Sequence, residues 1–152
     1  MTPGQISKRI VTERLDWIET MIARIRALPL QDKQVFRTDP RNAAAAESYL
    51  RRALEALLDL GRHILAKGLG CGVSEYKQIA AKLYELHVLT DLERDVLLLM
   101  AGYRNRLVHF YHEISQDELY QICSGELEDL ARIADALRRW IRAHPDQIDE
   151  ML

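Results

Sequence analysis

One short stretch of the chain combines residue types that can do acid–base chemistry on a phosphate: Arg104-Asn105-Arg106-Leu107-Val108-His109-Phe110-Tyr111. A histidine, whose ordinary pKa is about 6.5, can take a proton from a ribose 2′-hydroxyl or give one to a leaving oxygen. Arginine offers a planar fork of N–H donors to a phosphate and stabilises charge that develops on its oxygens. Asparagine can orient the imidazole or contact the substrate. Because RNA supplies its own nucleophile, this set is adequate for cleaving RNA without a metal or a serine.

Helical geometry divides these residues between two registers of one helix. At about 100° per residue, Asn105 and His109 are nearly superimposed, and Arg104 and Tyr111 lie about 20° from each other. Arg104 and His109 are about 140° apart, which is wide for one phosphate to contact both. Two copies of the strip that face each other across a two-fold axis would solve this problem. We therefore predict a homodimer whose cleft is lined by the segment from Arg104 to Tyr111.

A plainer interpretation of the same residues is electrostatic. An arginine and a histidine near the C-terminus of a helix often only complement its dipole and bond its last carbonyls. Tyr103, Leu107 and Phe110 fall on the apolar stripe and are expected to pack in the core. His112 follows the strip closely enough to join a site. His63 lies inside a predicted helix, where it is expected on the surface or as a hydrogen-bonded core residue.

The remaining polar residues of note indicate turns and solvated faces. His87 lies beside a predicted helix end, which is typical of a turn residue. The pairs Arg51-Arg52 and Arg138-Arg139 are expected on solvated helix faces, although either could extend a path for RNA. The usual catalytic motifs, including a phosphate-binding glycine loop followed by Lys-Ser/Thr, a GxSxG elbow and HExxH, do not occur. We therefore expect no cofactor and no metal.

Length and composition limit the class of protein. The 152 residues fit one domain, and 48% hydrophobic with 29% charged residues excludes disorder. Only 7 Gly and 4 Pro interrupt the chain, which favours a few long helices. A net charge of -2 argues against coating nucleic acid by bulk attraction but permits a local basic cleft. Cys71 and Cys123, far apart and without CxxC spacing, indicate neither a disulfide framework nor a zinc site.

The apolar pattern predicts five helices. The first has a stripe at alternating spacings of four and three, formed by Val11, Leu15, Ile18, Ile22 and Ile25. Asp39-Pro40 starts the second helix, predicted over Arg41–Lys67, and the Gly68–Gly72 loop ends it. Ser74 is predicted to cap a shorter third helix that runs to about Leu86.

Two capping boxes predict the starts of the last two helices. Thr90 with Glu93 opens the fourth helix, and Ser115 with Glu118 opens the fifth, which is predicted to run to His144-Pro145 with Gly125 as its weak point. Because Val96–Ala101 is apolar all round, the fourth helix is expected to be central and surrounded. The result is an all-α, up-and-down bundle of four long helices plus a short one, in a single domain over residues 1–152.

The cytoplasm is the expected location. The first residues, Met1–Gly4, do not have the composition of a signal peptide. The longest apolar stretch, Val96–Ala101, is far shorter than the roughly 20 residues that span a bilayer. We therefore expect no membrane association.

The run Met100–Tyr111 resembles the signature of HEPN-domain proteins, R-[polar]-x3-H, and more narrowly the R-x4-H-x-Y form of the HepT toxins. The resemblance extends over most of the chain. It includes the early amphipathic helix, Tyr49-Leu50 and the segment Leu57-Leu58-Asp59-Leu60-Gly61 on the Asp-led second helix, and the motif on the penultimate long helix. It implies that the bundle has the HEPN fold.

The resemblance also implies a function. HepT-like proteins are dimeric, metal-independent RNases that restrain growth, each encoded beside a minimal nucleotidyltransferase antitoxin that transfers AMP onto the motif tyrosine. Carried over to this sequence, Arg104 and His109 would be catalytic, Asn105 and Arg106 would support them, and Tyr111 would become O-AMP-tyrosine.

These inferences converge on a homodimeric, metal-independent endoribonuclease that acts as the toxin of a toxin–antitoxin pair. Its expected partners are RNA as substrate and a cognate nucleotidyltransferase antitoxin. The alternative is a non-catalytic subunit that presents a nucleotide or another substrate to the nucleotidyltransferase. A third hypothesis is a structural bundle whose only role is association.

Overall fold

A computed structural model describes residues 5–109 and 114–151, which are almost entirely helical. The helices are α1 (Lys8–Arg26), α2 (Lys33–Thr38), α3 (Pro40–His63), α4 (Tyr76–Glu85), α5 (Asp91–His109), α6 (Gln116–Gly125) and α7 (Leu127–Ala143). A π-helical turn, Ile64–Gly68, continues α3, and a 3-10 turn, Pro145–Gln147, follows α7. Two-residue strands β1 (Ile6–Ser7) and β2 (Ile148–Asp149) pair in parallel. The predicted all-α bundle is confirmed.

The central element of the bundle is α3. It contacts α1, α2, α4, α5, α6 and α7, and its whole inner face is buried. In α5, by contrast, Leu97, Met100 and Tyr103 face inward while Leu92 and Leu99 are 74% and 47% exposed. The prediction that α5 is surrounded was therefore wrong, because one side of this apolar helix lies on the outside of the bundle.

Local side-chain hydrogen bonds account for most of the helix starts. Asp39 caps α3 by accepting from the backbone N–H of Arg41 at 3.0 Å. Thr90 and Glu93 form the predicted reciprocal box, with distances of 3.2 and 2.9 Å. Ser115 accepts from the N–H of Glu118 at 3.1 Å, as predicted. The predicted cap at Ser74 was wrong: the N-cap of α4 is Glu75, which makes no side-chain cap bond.

Two differences from the predicted helices have tertiary causes. The predicted fifth helix is divided into α6 and α7 at Glu126, whose backbone leaves helical geometry and whose carboxylate accepts from the Tyr103 hydroxyl at 3.0 Å. The connector before α3 contains α2, which Asp32 caps and which buries Phe36 edge-on against Tyr120. No helix in the described part of the chain is long and apolar enough to cross a membrane.

Candidate functional site

The end of α5 forms one wall of an open cleft of about 570 Å³. The other walls come from the C-terminal half of α3 and from the start of α4. The described lining residues are Arg62, Ser74, Glu75, Tyr76, Lys77, Arg104, Asn105 and His109. Three residues of the predicted strip thus share a cleft within a single chain. The angle of about 140° between Arg104 and His109 therefore does not keep them out of one cleft.

Contacts from three helices hold the Arg104 side chain. Its Nε donates to Glu55 Oε1 of α3 at 3.3 Å, and its Nη1 donates to the side-chain oxygen of Asn105 at 3.4 Å. Its guanidinium carbon lies 4.5 Å from the centre of the Tyr76 ring, within the range of a cation–π contact. The side chain is only 19% exposed. Arg104 is therefore oriented before any substrate binds, and the oxygen of Asn105 contributes to that orientation.

A second arginine lies against the same aromatic ring. The Arg62 guanidinium carbon is 5.2 Å from the Tyr76 ring centre, and its Nη2 forms an ion pair with Asp59. The Tyr76 hydroxyl donates to Asp59 at 3.2 Å. Partial burial, together with the carboxylate of Asp59, raises the pKa of Tyr76, so its phenol stays protonated at neutral pH.

Four residues of this cluster were not predicted from the sequence: Glu55, Asp59, Arg62 and Tyr76. A signal was present in α3. The first three residues follow each other at spacings of four and three, which places them on one polar stripe of an otherwise apolar helix. What the spacing could not indicate is that α4 and the end of α5 meet this stripe.

The cleft is basic although the chain has a net charge of -2. The described lining contains Arg62, Lys77 and Arg104 against the single acidic side chain of Glu75, while Glu55 and Asp59, outside the lining, offset part of the positive charge of the two arginines. His109 is exposed at the end of the helix, where solvent and a ligand can reach it. The arrangement can thus bind an anion next to a group able to transfer protons.

Arg106 has a different environment from the other strip residues. Its Nη1 and Nη2 donate to the Glu118 carboxylate at 2.8 and 2.6 Å, which joins α5 to α6. The hydrogen bonds from Arg106 lower the pKa of Glu118. Among the described residues Arg106 does not line the cleft, and its expected support of catalysis stays a prediction. Phe110, Tyr111 and His112 lie outside the described residues.

Two of the histidines away from the strip, His63 and His87, have the structural roles that their positions indicated. His63 Nε2 accepts the backbone N–H of Ser7 at 2.9 Å, which fixes the start of α1. Partial burial, then the nearby charges of Lys67 and Arg14, lowers the pKa of His63, which keeps the ring neutral. His87 follows α4 with φ 65°, in the left-handed region typical of a helix end.

The arginine pairs differ in their relation to the cleft. Arg51 bonds Glu55 at 3.4 Å and so shares an acidic partner with Arg104, while Arg52 is exposed. Arg138 pairs with Glu19 and Asp135, and Arg139 pairs with Glu93, so both are parts of salt bridges involving α7. No arginine of either pair lines the described part of the cleft.

The two thiols are free in the described structure, and Cys123 is buried. Burial raises the pKa of Cys123 to about 12, which keeps it a protonated, unreactive thiol. Within residues 5–109 and 114–151, no cluster of three or more His, Cys, Asp or Glu side chains is arranged to hold a metal ion.

Solved structures of known proteins share this architecture. A tri-AMPylated Shewanella oneidensis HEPN toxin in complex with an MNT antitoxin superposes with a TM-score of 0.77 at 25% identity, covering 86% of this chain and 97% of that one. A toxin–antitoxin structure with AMP-PNP gives a TM-score of 0.76 at 24% identity, covering 84% and 97%. YutE of Bacillus subtilis, a cytosolic protein of unknown function, gives 0.75 at 21% identity, covering 91% and 93%.

Comparison of the sequence itself identifies the family. No curated protein matches the chain. The model of the family described as "Ribonuclease HepT-like" matches residues 18–137, which include α3, α4, α5 and the strip residues Arg104 to Tyr111. This match covers most of the chain and agrees with the shared fold. The chain therefore belongs to the HepT-like ribonuclease family.

Proposed function

We propose that this chain is a metal-independent endoribonuclease that acts as the toxin of a toxin–antitoxin pair. The observation that supports the activity most directly is the meeting of Arg104, Asn105 and His109 in one basic cleft. Family membership and the HEPN toxin among its structural neighbours support the toxin role. Arg104 and His109 are the proposed catalytic residues.

In the proposed reaction, His109 removes the proton from a ribose 2′-hydroxyl, whose oxygen attacks the adjacent phosphorus atom. The bond from phosphorus to the 5′-oxygen breaks, which leaves a 2′,3′-cyclic phosphate on one product. A protonated imidazole returns a proton to the departing 5′-oxygen. Arg104 stabilises the negative charge on the phosphate oxygens, and Glu55 and Tyr76 keep its guanidinium in place before the reaction begins.

A homodimer would place two such strips together, one for each proton transfer. The exposed side of α5 supports this assembly. Leu92 and Leu99 leave apolar surface open, and a Cβ atom added to Gly102 would meet no described atom within 4 Å. A second copy of the chain could therefore approach α5 closely along this side.

The proposed antitoxin is a minimal nucleotidyltransferase that transfers AMP to Tyr111. The support comes from the family motif and from the tri-AMPylated neighbour in complex with its antitoxin. Two other tyrosines are poorly suited to modification. The Tyr103 hydroxyl bonds Glu126, and burial followed by that bond raises its pKa to about 12, while the Tyr120 hydroxyl donates to the backbone oxygen of Leu30. An AMP phosphate on Tyr111 would bring negative charge towards the site and exclude RNA.

The decisive experiment compares wild-type protein with His109→Ala on a labelled RNA substrate in EDTA. We expect 2′,3′-cyclic phosphate ends, no cleavage of DNA or of 2′-O-methylated RNA, and a loss of about 10²–10⁴-fold in the variant. His144→Ala removes an imidazole remote from the strip and serves as the control. Full activity of His109→Ala, or cleavage only with added metal, would refute the mechanism.

Growth of a bacterial host distinguishes the alternative function. Expression of a toxin should arrest growth, and His109→Ala should relieve the arrest. A non-catalytic subunit that presents a nucleotide or substrate to the nucleotidyltransferase should leave growth unchanged in both cases.

A further inference from the structure

Arg62 is the one described arginine of the cleft that comes from outside the α5 strip. It lies near the end of α3, and its guanidinium contacts the ring of Tyr76, which the Arg104 guanidinium also contacts. From this geometry we infer that Arg62 is a second phosphate-binding residue, which contacts the RNA phosphate next to the one held by Arg104. The inference rests on the proposed ribonuclease function and extends it from the scissile phosphate to the neighbouring nucleotide.

The two guanidinium groups occupy the same end of the cleft. Their carbon atoms lie 4.5 and 5.2 Å from one ring centre, so Tyr76 contacts both cations. Two guanidinium groups at this separation repel each other unless nearby negative charges offset the repulsion. The negative charges come from α3, where the Glu55 carboxylate accepts a hydrogen bond from Arg104 and the Asp59 carboxylate forms an ion pair with Arg62. The acids stand four residues apart and so project from the same face of the helix.

Each arginine keeps donors for a ligand while its acidic partner holds it. A guanidinium has five N–H donors, and the hydrogen bond described for Arg62 uses Nη2 alone. The Arg62 side chain is 39% exposed, which leaves it accessible from the cleft. A single strand of RNA presents its phosphates in a row. Two arginines at one end of a cleft are therefore better suited to bind two consecutive phosphates than one isolated anion.

A purely structural role for Arg62 predicts a different outcome. Exposed ion pairs between residues three apart contribute little to stability. Arg132 and Asp129 of α7 form such a pair with the same spacing, but Arg132 does not line the cleft among the described residues. Arg132 is therefore a matched control for the loss of an arginine that has an aspartate partner three residues earlier.

The test measures RNA binding, separately from cleavage. The probe is a fluorescein-labelled, 2′-O-methylated RNA 20-mer of randomised sequence, which the proposed mechanism cannot cut. Binding of wild-type protein, Arg62→Gln, Arg62→Lys and Arg132→Gln is followed by fluorescence anisotropy over a series of salt concentrations. Circular dichroism melts of all four proteins identify any variant that fails to fold.

We expect Arg62→Gln to weaken binding about tenfold and to reduce the slope of log K against log salt by about 0.7, the value for one lost contact on single-stranded nucleic acid. Arg62→Lys, which keeps the charge and loses the fork, should retain the slope and bind more weakly than wild type. Arg132→Gln should resemble wild type in both respects.

The possible failures are distinguishable. If wild-type protein binds and cuts RNA but a folded Arg62→Gln matches Arg132→Gln in affinity and slope, this inference is wrong and the proposed function stands. If Arg62→Gln does not fold, Arg62→Lys decides the question, because the inference requires weaker binding when the guanidinium fork is lost and wild-type affinity in that variant overturns it. If wild-type protein neither binds nor cuts RNA, both proposals are overturned.

Discussion

Replacing Glu55 by glutamine would test whether the ion pair to Arg104 orients a catalytic arginine. The substitution keeps the size of the side chain and an oxygen acceptor but removes the negative charge opposite Arg104 Nε. Arg104 would keep its contacts with Tyr76 and Asn105 and lose its charged partner on α3. Its guanidinium would then be ordered only when substrate binds, so part of the binding free energy would be used for orientation.

The size of the effect follows from the exposure of the pair. A hydrogen bond between charged groups contributes about 1.5–3 kcal/mol when well shielded. The Glu55 and Arg104 side chains are 27% and 19% exposed, and the amide oxygen of the introduced glutamine still accepts a hydrogen bond. We therefore expect Glu55→Gln to cost about 1–2 kcal/mol. Since about 1.36 kcal/mol corresponds to a tenfold change, kcat/KM should fall about 5–30-fold, and most of the loss should be a rise in KM because Arg104 becomes ordered when substrate binds.

The assay is RNA cleavage under single-turnover and steady-state conditions, with Arg51→Ala as the control. Arg51 also bonds Glu55 but does not line the described cleft, so its loss should leave the rate within about twofold of wild type. In an Arg104→Ala background, Glu55→Gln should cost little more, because its effect acts through Arg104. Equal losses in Glu55→Gln and Arg51→Ala, or additive losses with Arg104→Ala, would show that the reasoning is wrong.

Four further outcomes are expected. The pKa of His63 in the folded state lies below 6.5, so the contribution of His63 to the free energy of unfolding is complete above pH 6.5 and declines as the pH falls below that value. In His63→Gln the free energy of unfolding should therefore fall less steeply with acid, as measured by denaturant titrations at several pH values. His87→Gly, which relieves a left-handed backbone, should stabilise the protein by about 0.5–1 kcal/mol and raise its Tm by a few degrees, whereas His87→Ala should give no gain. Leu99→Glu should shift the proposed dimer to monomer in analytical ultracentrifugation, while Val35→Glu, at a residue of similar exposure, should not; a dimer in both variants places the interface elsewhere. Co-expression with the cognate nucleotidyltransferase should add one or more AMP masses to Tyr111, and Tyr111→Phe should lack the adduct; peptide mapping that finds AMP on another tyrosine would contradict the assignment.

Local chemistry explains what could be predicted from the chain alone. Asp39, Thr90 and Ser115 bond backbone groups within three residues of themselves, so the helix starts they specify depend on nothing more distant. The helical period likewise put Asn105 and His109 on one face before any packing was considered, but it left Arg104 about 140° away from His109. The motif then indicated the family, because its spacing is local too.

Contacts between distant segments decided the rest. Nothing near Arg104 indicates that Glu55, 49 residues earlier, accepts from it, or that Tyr76 lies beneath its guanidinium. Arg106 has the same residue type and nearly the same position in sequence, yet it bonds Glu118, and among the described residues only Arg104 of the two lines the cleft. An i to i+4 spacing specifies which side of a helix a residue occupies, but only the positions of α3, α4 and α6 relative to α5 determine what that side meets. The composition of the cleft is therefore a property of the tertiary structure.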